Sequence, residues 1–157
     1  MRILILADEL FASRERSLLT RLEVGLADEG VRVVHAVPES VIEHTPGGAA
    51  DLSGVISKVV PYTPNAVSFT RRLVVRHIQR TLAAATGAND DIDIVHVFGG
   101  SAWDLALELS TALNAALAIE AWRAGLAQRA AALAAATDQG PLFLSLIHIS
   151  EPTRLRR

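Results

Sequence analysis

Short apolar runs recur along this chain, too brief for buried helices and too unbroken for half-exposed strands, and they constrain the fold more than any other feature. The first is Arg2-Ile3-Leu4-Ile5-Leu6-Ala7. Apolar side chains at consecutive positions fill both faces of a strand, the pattern of a parallel sheet covered on each side. VRVVHAV (31–37), VISKVV (55–60), DIVHVF (93–98) and LAIEA (117–121) repeat it, and a sixth strand is expected from Leu142. Pro38 and Pro61 are expected to close the second and third.

Helical spacings fill the intervals. Leu18, Leu19, Leu22 and Leu26 share one helix face, and Gly30 stands where a left-handed residue ends a helix. Residues 39–54 carry Pro46, Gly47 and Gly48 and predict a loop with one short helical turn. Residues 66–85 predict a helix with Leu73, Val74, Ile78 and Leu82 on one side. Ser101 and Asp104 form an S-x-x-D capping box for a helix through Leu113, with Asn114 in the glycine's place at its end. Residues 123–137 are alanine-rich and helical. Strands and helices in alternation predict an α/β fold, a doubly wound (Rossmann-like) parallel sheet.

Composition narrows the function classes. The chain has 157 residues, half of them hydrophobic and a fifth charged, so one domain with a packed core is expected. A net charge of −2 argues against nucleic-acid binding. The absence of cysteine excludes disulfides and thiolate chemistry, and suits the cytoplasm. MRILILADE is too short in its apolar part for a signal peptide, and no run of about 18 apolar residues offers a membrane span.

In doubly wound sheets ligands bind beyond the C-terminal ends of the strands. That rule selects Asp8–Ser17, Pro61–Ser68, Gly99–Asp104 and Glu120–Gly125. Gly99, Gly100 and Ser101 follow a strand and open a helix, where exposed N–H groups suit a phosphate, carboxylate or sugar hydroxyl, or simply make a tight turn. No G-x-G-x-x-G or G-x-x-x-x-G-K-[ST] occurs, which disfavours a dinucleotide site or a P-loop. His35 and His96 are expected in the core, and no ligand spacing suggests a metal. Glu120, Trp122 and Arg123 unite an acceptor, a stacking face and a forked donor, as carbohydrate or phosphosugar binding uses; a buried tryptophan beside a local ion pair is the plainer alternative. Arg72, Arg76 and Arg80 recur at i, i+4 and i+8 and make one helix face basic, for solvent or for peripheral contact with the inner face of a membrane.

MRILILADE, the segment LADEGVRVVHAV, the strand DIVHVFGG and the run LALELSTALNAALAIEAW together resemble the N-terminal domain of glycosyltransferase family 4-type enzymes. The resemblance covers about residues 1–143. It implies one half of a GT-B fold, in a retaining enzyme that takes a nucleotide-sugar donor and a sugar or lipid-linked acceptor, with no further cofactor. Many members carry a glycine pair, a variable residue and Glu-Arg after the first strand. Ala12-Ser13-Arg14-Glu15-Arg16 stands there in this chain, so Glu15 and Arg16 fall on the family's acidic and basic positions. Where members place a cleft histidine after the fifth strand, Trp122 stands here, followed by Arg123. The resemblance also implies that a C-terminal domain holds the donor, so this chain alone is expected to be inactive. A receiver-like or other ligand-binding module is the alternative; Asp8 and Glu9 supply a receiver's acidic pair, but the third strand lacks its aspartate.

The last stretch, LSLIHISEPTRLRR (144–157), departs from everything before it. LSLIHISEPTR is similar to an in-frame translation of the transposon-end adapter used in sequencing libraries. These residues are therefore expected to be non-native and to pack poorly beyond the first few. Without their three arginines and one glutamate, the 15 basic and 17 acidic residues fall to 12 and 16, a net charge of −4.

Overall fold

The computed structural model describes residues 1–44, 58–64, 68–86, 91–120 and 143–145. The strands are β1 (Arg2–Ala7), β2 (Arg32–Pro38), β3 (Lys58–Tyr62), β4 (Ile94–Phe98), β5 (Ala116–Glu120) and β6 (Phe143–Ser145). They form one parallel sheet in the order β3-β2-β1-β4-β5-β6. The helices are α1 (Glu9–Arg14), α2 (Arg16–Asp28), α3 (Glu39–Glu43), α4 (Ser68–Thr86) and α5 (Trp103–Leu113), with a 3-10 turn at Gly100–Ala102 before α5. The fold is the doubly wound, Rossmann-like sheet that the apolar runs require. None of these helices is long and apolar enough to cross a membrane.

Alternation along β1 feeds two cores. Leu4 and Leu6 join Val34, Ala36, Val60, Ile78, Val97 and Trp103 beneath α4 and α5. Ile3, Ile5 and Ala7 join Val33, Val37, Phe11 and Leu19 beneath α1 and α2. Leu4, Ile5 and Leu6 are wholly buried, and each such side chain contributes about 1.5–3 kcal/mol. Gly30 ends α2 at φ +73°, and Asn114 ends α5 at φ +53°, both as expected.

Several local expectations change. The stretch after β1 adds a helix, α1, capped by the Asp8 carboxylate. Pro61 lies within β3, opposite Val37, instead of closing it. An edge strand uses one side of its backbone for the ladder, so proline fits there. In α4 the buried face is Val75, Ile78 and Leu82, while Leu73 is 61% exposed. The helix of 123–137 lies outside the described residues, as do residues 146–157 of the tail, whereas Leu144 and Ser145 belong to β6.

The sheet is not covered evenly. Ile94, His96, Ala116 and Ala118 are only partly buried, while their alternates Val95, Val97, Leu117 and Ile119 are buried. Right-handed connections from β1 towards β3 place their helices on one face, and those from β3 back through β4 and β5 place theirs on the other. Among the described residues, the α1–α2 face of β5 therefore has no helix over it, and that face of β4 meets α1 only at its end, where Phe98 packs on Phe11.

Candidate functional site

The connections diverge between β1 and β4, neighbours in the sheet, and the crevice at their C-terminal ends is where such folds take ligands. Asp8 occupies it. Its N–H donates to Phe98 O at 2.8 Å, extending the ladder by one step. Its Oδ1 accepts from Phe11 N at 2.8 Å, which caps α1. Its Oδ2 accepts from Ser101 Oγ at 3.0 Å and Ser101 N at 3.3 Å, across the crevice. Gly99 makes this approach possible: its φ is +92°, and a Cβ there would stand 2.0 Å from Asp8 Cγ.

The capping box is therefore not made. No side chain caps α5, and the Ser101 hydroxyl goes to Asp8, a nearby anion that a short-range pattern cannot see. Asp104 instead lies 3.7 Å from Arg71 of α4. Of the acidic pair Asp8 and Glu9, only Asp8 reaches Ser101; Glu9 is exposed and accepts from Ser40 Oγ at 3.0 Å. Beneath Asp8, Tyr62 donates to Ala7 O at 2.7 Å. Burial raises the Tyr62 phenol above its ordinary pKa, and the negative charges of Asp8 and Glu9 raise it further.

A second polar pair lies beside the first. His96 pairs in register with Ala118, so Glu120, two residues on, projects from the same face of β5. His96 Nε2 lies 3.0 Å from Glu120 Oε1, with the imidazole partly exposed and the carboxylate buried. Glu120 Oε2 is buried and has no hydrogen-bond partner among the described residues. The His96 ring stands 4.4 Å from the Phe98 ring, which stands 4.9 Å from Phe11. Phe98 thus joins the two clusters, through its carbonyl to Asp8 and through its ring to His96.

Of the residues singled out from the sequence, the structure brings Gly99, Gly100 and Ser101 to the crevice and Glu120 beside it. Glu15 is exposed at the joint of α1 and α2. Arg16 begins α2, its side chain outside the described residues, as are Trp122 and Arg123 altogether. Asp8 as the centre of the crevice and His96 as Glu120's partner were not foreseen. Their signal was a polar residue at matching depth on neighbouring apolar strands, which needs the strand order to be read. His35 is the buried histidine expected, 3.2 Å from Glu23, and burial lowers it to about 4. Among the described residues no three His, Asp or Glu side chains gather as a metal site would need.

No family model and no curated protein matches the chain. Among solved structures, it is similar to the glycotransferase of kitacinnamycin. The TM-score is 0.44 and the identity 17%, over 84% of this chain and 34% of that one. This chain thus spans about a third of that structure's length.

Proposed function

We propose that this chain is the acceptor-side domain of a glycosyltransferase of GT-B architecture, retaining and dependent on a nucleotide-sugar. One observation carries the reading: the turn at the crevice is filled by a carboxylate. Asp8 fills the turn that phosphate-binding folds of this shape leave open, and Glu120 ends the next strand but one, held against His96. A fixed negative charge repels phosphate and accepts from hydroxyl groups, so the crevice suits a neutral sugar better than a nucleotide. The resemblance of residues 1–143 to family 4-type N-terminal domains supports the same assignment. It leaves the donor to a further domain and asks for no other cofactor. Glu15, Arg16, Trp122 and Arg123 are the additional substrate contacts it suggests, in a protein of the cytoplasm.

In this arrangement Glu120 holds one edge of the part-exposed His96 ring, which faces an acceptor hydroxyl, while Asp8 fixes the crevice wall. Amide NMR titration of the chain with simple sugars tests this. Shifts at Asp8, His96, Gly99 to Ser101 and Glu120 are expected with sugars, and none there with inorganic phosphate or dinucleotides. Glu120→Gln should weaken the response by about tenfold, as loss of one charge-assisted hydrogen bond does. Phosphate or dinucleotide binding in the crevice would overturn the reading in favour of a different ligand-binding module.

A further inference from the structure

The outward face of α4 concentrates positive charge. Its sequence, SFTRRLVVRHIQRTLAAAT, holds four arginines and a histidine and no acidic residue. Arg71 turns towards α5, donating to Glu108 Oε1 at 2.9 Å with Asp104 at 3.7 Å. Arg72, Arg76 and Arg80 do not follow it. They are exposed, one helical turn apart, and none is in an ion pair among the described residues. Val75, Ile78 and Leu82 fix the opposite face in the core, so this row cannot rotate inward. Leu73, the most exposed large apolar side chain of the helix, stands beside it, and His77 is exposed as well. The whole chain is net negative, so the charge is segregated rather than in general excess.

We propose that this face docks on an anionic membrane surface, with Arg72, Arg76 and Arg80 on lipid phosphates and Leu73 at the boundary of headgroups and acyl chains. Guanidinium groups match phosphate oxygens in forked pairs. A straight row along one helix meets a planar surface at all three positions together. The exposed leucine decides between partners: it gains from an acyl boundary and gains nothing from the polar groove of a nucleic acid. Each arginine at such a surface strengthens partition about fivefold, and three of them about a hundredfold.

Sedimentation of the full chain with phosphatidylcholine vesicles, with and without phosphatidylglycerol, tests the proposal. Binding is expected only where phosphatidylglycerol is present, and should fall steeply as salt is added. The triple variant Arg72→Gln, Arg76→Gln, Arg80→Gln should bind about a hundredfold more weakly. Leu73→Ser should weaken binding a few-fold while leaving its salt dependence unchanged. All four side chains are exposed, so the variants should melt with the parent chain. The variant Arg154→Gln, Arg156→Gln, Arg157→Gln should keep its binding, which separates α4 from the basic tail. Equal binding to neutral vesicles, retention in the α4 triple variant or loss in the tail variant would each overturn the proposal. So would a chain that ignores both vesicles yet holds RNA through these arginines.

Discussion

Gly99 and Asp8 share a space that admits no additional methyl group. Gly99→Ala forces either the Asp8 carboxylate or the backbone to move, on top of an unfavourable positive φ, and should cost about 2–4 kcal/mol in urea unfolding. Asp8→Ala removes the cap of α1 and should cost about 1 kcal/mol, but it also vacates the space. In that background Gly99→Ala should cost markedly less, and a double-mutant cycle that came out additive would refute the coupling. His35 gives a pH prediction. Its pKa is about 4 in the fold against 6.5 in the unfolded chain, so between those values only the unfolded chain takes up the proton. Stability is full above pH 6.5 and falls on acidification towards pH 4, as the unfolded chain alone gains the proton. His35→Gln should flatten that slope in denaturant titrations across the same range. The crevice itself was only partly visible in the sequence. Gly99 and Ser101 announce a strand-to-helix turn, but Asp8 lies 93 positions from Ser101, and nothing local says that its carboxylate will fill that turn.

At the scale of elements, the runs of consecutive apolar residues were enough to place the strands, and helix ends at Gly30 and Asn114 followed from backbone chemistry. What they could not place was anything set by neighbours. Pro61 looks like a terminator until β3 is known to be an edge strand. In α4, Leu73 and Val75 are both apolar, and periodicity alone does not choose between two overlapping faces. The packing does, and it can be checked. Ile78→Ala should cost about 2–5 kcal/mol in thermal or urea unfolding, because it leaves a cavity under the helix. Leu73→Ser should stay within about 0.5 kcal/mol of the parent. Equal costs at the two positions would mean that the helix is turned otherwise.

For the molecule as a whole, the proposed function carries its own test: in a GT-B enzyme, positioning donor and acceptor across a cleft between two domains supplies much of the rate, and one domain does not do so. The chain on its own should bind sugars without transferring them; turnover with any nucleotide-sugar in a product assay would refute this. The uneven covering of the sheet is legible only once the strand order is known. The central position of β1 has a different consequence. Arg2 N–H is bonded to the Asp93 carboxylate 91 residues later, and β1 lines up with β4 over its whole length. Of the strands in this sheet, β1 is therefore the one that must wait longest for its second neighbour. During synthesis β1 can pair with β2 while the N–H and C=O groups of its other edge stay unpaired until residue 98 has emerged. Sheets built from such distant pairings form slowly. The nascent chain is thus most exposed to misassociation along β1, and a chaperone that shields residues 2–7 would guard the sheet's future centre.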